Sequence, residues 1–173
     1  MGIRTLILDV DGVLTDGRLQ YTSDGEEIKT FDVKDGLAMA AAVRAGLQVG
    51  IVTGRQSPVV RRRVEELKLT FLVEGCADKT AALRTLEADG VLRADESAYM
   101  GDDWNDLGIM KSVALPMAPA DAVREVIEAA EFVSPSNGGH GAVRDAVEHI
   151  LKREGLFEDI LKAYEGEAYE RGQ

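Results

Sequence analysis

Apolar residues in this chain fall into short continuous runs, separated by longer stretches in which they recur at helical spacing. In "TLILDVD", Leu6, Ile7, Leu8 and Val10 leave no polar face, so the run predicts a strand buried on both sides. "LQVGIVT" predicts a second such strand, followed by the shorter "FLVEG", "SAYMG", "VALPMA" and "EFVS". Between them lie helical segments. "GLAMAAAVRA" predicts a helix capped by Asp35 and closed by Gly46. Ser57-Pro58 predicts the start of "VVRRRVEELKL", with serine as cap and proline in the first helical position. "DKTAALRTLEADG" ends at Gly90, and "DLGIMKSV" and "ADAVREVIEAA" are further helices. "GAVRDAVEHILKREGLFEDILKAYEGE" predicts a helical tail broken near Gly155. One pair of segments differs. "RLQYT" and "EIKTFDV" flank Ser23-Asp24-Gly25, which predicts a β-hairpin over about 18–32.

Strand–helix alternation with apolar strands predicts an α/β fold, a Rossmann-like three-layer sandwich with a mainly parallel sheet covered on both faces. The hairpin projects from it. The 173 residues suit a single domain over 1–173, with a helical tail over about 156–173. In such sheets ligands bind beyond the carboxyl ends of the strands. Asp9 and Asp11 stand where the first strand ends.

Composition narrows the partners. Twenty Lys and Arg against 31 Asp and Glu give a net charge of −11. That surface repels polyanions, so nucleic acid and anionic membranes are poor partners. No run approaches the ~18 apolar residues of a membrane span. The single cysteine, Cys76, excludes an intrachain disulfide framework and favours a reducing compartment. The N-terminus lacks a signal-peptide layout. The expectation is a cytoplasmic protein.

Acids at i and i+2 on a strand point to one side. Two close carboxylates repel unless a cation lies between them, and Mg2+ suits oxygen ligands that leave room for a phosphate. Taken alone, Asp9-Val10-Asp11-Gly12 also suits a calcium loop or a plain turn. Thr53 and Gly54, at the end of the second strand, offer a hydroxyl and N–H groups to phosphate oxygens; Thr53 also reads as a turn or cap. Lys79 falls in the first turn of a helix, where the dipole disfavours a cation. It therefore needs an anionic partner, unless it is simply solvated. Asp102, Asp103 and Asp106 follow another strand and read as metal ligands or as helix caps, Asp106 in particular as a cap or brace.

Asp-x-Asp, Thr, Lys and Gly-Asp-Asp-x-x-Asp follow in this order at strand ends. That conjunction resembles the haloacid dehalogenase superfamily. The resemblance implies a magnesium-dependent phosphatase. Asp9 would be the nucleophile, and Asp11 the general acid and then base. Thr53 and Lys79 would clamp the phosphoryl group. Asp9, Asp11 (through its carbonyl), Asp102 and Asp103 would be the metal ligands. No stretch before Thr53, or between Thr53 and Lys79, is long enough for a cap domain.

"DVDGVLTDGRLQYTSDGEEIKTFDVKDGLAM", "TGRQSPVVRRRVEEL", "GDDWNDL" and "GGHGAVRD" resemble the capless 3-deoxy-D-manno-octulosonate 8-phosphate phosphatases. That resemblance implies a small phosphorylated sugar acid as substrate. It also implies a homotetramer in which hairpins help cover neighbouring sites. Lys34, Asp35 and Gly36 would line the approach, and Arg55 with Ser57 would face the sugar acid. Arg55 suits a substrate carboxylate or an acid of its own chain. His140 reads equally as a turn residue and Trp104 as a packing residue, so neither joins the catalytic set. The alternatives are a phosphatase of nine-carbon, sialic-acid-type sugar phosphates and a non-catalytic tetrameric regulatory homologue. A phosphoaspartate receiver carries similar acids, but in another order.

Overall fold

The computed structural model describes residues 2–166. The strands that build the sheet are β1 (Thr5–Leu8), β4 (Gln48–Val52), β5 (Phe71–Val73), β6 (Ser97–Met100), β7 (Leu115–Ala118) and β8 (Phe132–Val133). β2 (Gln20–Tyr21) and β3 (Glu27–Ile28) form the hairpin. The helices are α1 (Val33–Arg44), α2 (Pro58–Leu67), α3 (Lys79–Ala88), α4 (Leu107–Met110), α5 (Arg124–Ala129), α6 (Ala142–Arg153) and α7 (Phe157–Gly166). Short 3-10 turns at Ala94–Glu96 and Trp104–Asp106 add two elements that the apolar pattern does not announce.

The six-stranded sheet runs β5-β4-β1-β6-β7-β8, and every pairing is parallel. Alternation within β1 explains its unbroken apolar run. Leu6 and Leu8 face a core shared with α1, α2 and α6, while Ile7 faces one shared with α3, α4 and α5. All three are fully buried, each contributing about 1.5–3 kcal/mol by leaving water. Strand order reverses at β1, which lies between β4 and β6. A crevice opens at such a reversal beyond the strand ends. Asp9, Thr53 and Asp102 leave three neighbouring strands at that edge.

Two expected caps differ. The cap of α1 is Asp32, whose side chain accepts from the N–H groups of Lys34 (2.6 Å) and Asp35 (3.4 Å). Asp35 sits one turn in, 1% exposed, and its carboxylate accepts from the N–H groups of Arg144 (2.8 Å) and Gly141 (3.4 Å). It thus caps α6 from another helix, because Gly141 has no side chain with which to do so. Ser57 does precede α2, but its hydroxyl makes no cap bond and donates to Glu27 instead (2.6 Å). The helical tail breaks at Gly155, whose φ of +72° a glycine adopts without strain. The expected tail beyond 166 lies outside the described residues. No domain is inserted between β1 and α3 other than the hairpin, so the described chain has no cap.

Candidate active site

Asp9 closes β1, its N–H bonded to the carbonyl of Met100 on β6 (3.1 Å). Its carboxylate is 8% exposed and lies 2.7 Å from Nζ of Lys79. Lys79 is almost wholly buried and reaches Asp106 on its other side at 2.6 Å. The anionic partner that a helix N-terminus demands of a lysine is therefore a pair of carboxylates. Burial works against the ammonium, but Asp9 and Asp106 outweigh it and raise its pKa. Lys79 stays charged.

Asp106 is fully buried and accepts four hydrogen bonds. Oδ1 takes Lys79 and the hydroxyl of Tyr99 (2.5 Å); Oδ2 takes the N–H groups of Asp102 (2.9 Å) and Asp103 (3.2 Å). Tyr99 is itself fully buried, and burial together with Asp106 pushes its hydroxyl pKa well up. Asp9, Asp102 and Asp106 each bring a carboxylate oxygen within 4.8 Å of the others. Asp106 is nonetheless saturated by protein donors, so it is the brace of the loop, and Asp9 and Asp102 are the oxygens left to a cation.

The crowding is visible in the acid strengths. Burial pushes Asp102 up to about 8, with Asp9, Asp106 and Asp103 adding to the rise. Burial also lifts Asp9 to about 6, against the pull of Lys79. Ionising all three carboxylates around one ammonium would leave two uncompensated negative charges. A divalent ion with hard oxygen preferences fits that donor set. Gly12 is part of the fit: a Cβ there would stand 2.0 Å from Oδ2 of Asp102, so only glycine lets the two loops close together.

A cavity of about 250 Å³ opens over these groups, lined by Asp9, Asp11, Gly17, Thr53, Gly54, Arg55, Asp102, Asp103 and Asn105. Lys79 is not among the lining residues and meets the cavity through Asp9. Asp103 lines the wall, and one oxygen of its carboxylate accepts from the N–H of Trp104 (2.7 Å). Trp104 is 67% exposed and donates its indole N–H to Glu125. Lys34, Asp35, Gly36 and Ser57 are not among the lining residues. Gly36 packs instead against Arg63, whose guanidinium would meet a Cβ there at 2.1 Å. An apolar groove of similar volume between α1, α6 and α7 holds Arg144 and Glu148, already paired with each other, and no cluster of acids.

The side chain of Asp11 stands apart from the acid cluster. It is ion-paired to Lys29, and Arg55 lies 3.8 Å from its other oxygen. Lys29, Glu27 and Tyr21 belong to the hairpin, and sequence reasoning did not single them out. The signal was available: "EIKTFDV" reads as a strand, and Glu27 and Lys29, two apart in it, would share a face. A second unforeseen support is the loop before α6. Gly139 donates to the carbonyl of Val13 (2.9 Å), and a Cβ on Gly138 would stand 1.9 Å from the carbonyl oxygen of Gly12.

The family model for haloacid dehalogenase-like hydrolases matches residues 71–146. The 3-deoxy-D-manno-octulosonate 8-phosphate phosphatase KdsC of Haemophilus influenzae is 39% identical over 153 residues, covering 88% of this chain and 85% of that protein. The chain belongs to this phosphatase family of haloacid dehalogenase-like hydrolases. Its fold agrees: a YrbI family phosphatase from Pseudomonas syringae superimposes with a TM-score of 0.93 at 38% identity, over 96% of this chain and 95% of that one. The Moraxella catarrhalis phosphatase, solved with magnesium, phosphate and KDO, superimposes with a TM-score of 0.90 at 33% identity, over 94% and 93%. Both superpositions cover more than nine-tenths of this chain, so the fold is shared with these phosphatases.

Proposed function

We propose that this chain is a magnesium-dependent phosphatase of 3-deoxy-D-manno-octulosonate 8-phosphate, releasing KDO and phosphate through an aspartyl phosphate on Asp9. The observation that carries the reading is Asp9 itself. A carboxylate at a strand end, oriented by a buried lysine and crowded by Asp102 under an open cavity, is a nucleophile held in place rather than a core acid. Asp9 and Asp102, with the main-chain carbonyl of Asp11, would hold the ion, and Asp103 stands beside them on the cavity wall. When bound, that ion offsets the repulsion between an anionic nucleophile and a phosphate dianion. The chain supplies the rest, mainly positioning. Thr53, the N–H of Gly54 and Lys79 hold the phosphoryl oxygens. Asp11 gives its proton to the departing sugar oxygen and takes one back from the attacking water. Arg55 offers a guanidinium to the sugar-acid carboxylate, a geometry that favours two parallel bonds.

Exposed Leu19, Tyr21 and Ile28 on the hairpin, with Val33 and Leu37 on α1, support assembly into a tetramer whose hairpins help cover neighbouring sites. Light scattering should find about four chains. Among the described residues no helix is long and apolar enough to cross a membrane, and we take the enzyme to act in the cytoplasm as one domain.

The decisive assay is phosphate release from a panel of phosphorylated sugar acids, with KDO 8-phosphate expected to lead. A nine-carbon sialic-acid-type phosphate turned over faster would reassign the substrate. Absence of turnover on the whole panel would favour the non-catalytic reading. Asp9→Asn should fold and lose phosphate release; substantial residual turnover would remove the covalent route.

A further inference from the structure

The hairpin contacts two residues that line its own chain's cavity, Asp11 and Arg55. Tyr21 pairs with Glu27 across the two strands, and Lys29 follows on the same face as Glu27. The Lys29 side chain is 3% exposed, and its ammonium joins two carboxylates, Asp11 and Glu27, the latter at 3.2 Å. Glu27 is in turn fixed by the hydroxyl of Ser57 (2.6 Å) and by Arg55 (3.4 Å). Arg55 is steadied by the Tyr21 hydroxyl (2.8 Å). Both oxygens of Asp11 therefore face cations, and both cations are tethered to Glu27. A desolvated ammonium is retained only where carboxylates compensate it. Burying Lys29 here fixes where the Asp11 carboxylate stands.

We propose that Lys29 is a positioning residue for leaving-group protonation: braced by Glu27, which compensates its charge while Asp11 carries the proton, it holds the Asp11 carboxyl group where the departing oxygen of the phosphate ester emerges. The inference rests on the reading of Asp11 as the acid. In the first step an oxygen of Asp9 bonds to phosphorus while the bond from phosphorus to the sugar oxygen breaks, and the Asp11 proton passes to that oxygen to give the alcohol. In the second step water adds to phosphorus, its proton returns to Asp11, and the bond to Asp9 breaks. An alkoxide leaves poorly without a proton, whereas p-nitrophenolate leaves unaided. Misplacing Asp11 must therefore slow an alkyl ester far more than a nitrophenyl ester.

The test compares kcat/KM, which covers the steps up to leaving-group departure, for KDO 8-phosphate and p-nitrophenyl phosphate on the intact enzyme. General acid catalysis contributes about 10²–10⁴-fold. Lys29→Met should lower the KDO 8-phosphate value by about tenfold or more relative to the p-nitrophenyl phosphate value, and Lys29→Arg should recover part of the difference. The ratio of the two values cancels any loss of folded enzyme, so a destabilised variant still answers. Equal losses on both substrates, or no loss on either, would overturn the proposal. Asp11→Asn on the same pair separates the two readings. If it is selective and Lys29→Met is not, only Lys29 loses its role; if Asp11→Asn is unselective, the acid assignment falls and the proposal falls with it.

Discussion

Asp106→Asn isolates the brace beneath the site. Asp106 has no exposed surface, and its carboxylate accepts from Lys79, Tyr99, Asp102 and Asp103. Asparagine keeps the volume and the sheet position but replaces one oxygen with an amide NH2. Whichever way the amide turns, two buried donors lose their acceptor: the Lys79 ammonium and the Tyr99 O–H proton, or two backbone N–H groups. Each buried group left without a partner costs about 1–3 kcal/mol, so two cost about 2–6 kcal/mol. Lys79 keeps Asp9 at 2.7 Å, so the ~3–5 kcal/mol of a fully broken buried pair is not added on top. An opposite effect trims the sum. Removing the charge of Asp106 relieves the repulsion it exerts on Asp9 and Asp102. The expected net loss is about 2–4 kcal/mol, large beside the ~5–15 kcal/mol of an ordinary domain. For a chain of this length each kcal/mol moves Tm by about 2–4 °C. Urea unfolding in EDTA, followed by circular dichroism and by the fluorescence of Trp104, the chain's one tryptophan, measures it. A loss below about 1 kcal/mol would refute the reasoning, because four buried contacts of this kind cannot be exchanged so cheaply.

The same crowding makes metal-free stability depend on pH. Asp9 and Asp102 are raised from 3.8 to about 6 and about 8, so in that interval the folded state holds protons that the unfolded state has released. Stability from these groups is present below the unfolded value and lost as pH rises through the folded ones. In EDTA, wild type should lose stability relative to Asp102→Asn between about pH 4 and 8, and magnesium should restore it in wild type alone; a flat difference, or an equal magnesium response in the variant, would count against the metal assignment. Gly138→Ala should weaken the protein by about 1–3 kcal/mol or more, as overpacking does, and also lower its affinity for magnesium measured by calorimetry, since the added methyl meets the Gly12 backbone; unchanged metal affinity would disconnect that loop from the site.

Local pattern carried much of this. The apolar run into Asp9, the Asp-Gly turn and the order of acids, threonine and lysine placed the sheet edge and the acids upon it, because strand burial and turn chemistry are written in neighbouring residues. The helix dipole left Lys79 either partnered by an anion or simply solvated, and the structure gives it two carboxylates. What the pattern misassigned involved competition between neighbours. Asp32 and Asp35 are both competent caps, and only packing decides that Asp35 turns to the start of α6 across 109 residues of chain. Ser57 reads as a cap until the hairpin brings Glu27 to its hydroxyl.

The sequence by itself therefore determined the layers, the strand ends and the identity of the charged groups, since each depends on hydrophobic periodicity or on residues a few positions apart. Tertiary structure alone decided which carboxylates remain open to a cation and which are consumed. Asp106 differs from Asp102 in receiving buried donors from Lys79, Tyr99 and the loop N–H groups of Asp102 and Asp103, and Asp11 is set apart by a lysine 18 residues away on the hairpin. The physical reason is that a carboxylate's availability is fixed by the donors surrounding it in space, and those arrive from segments whose meeting no local pattern records.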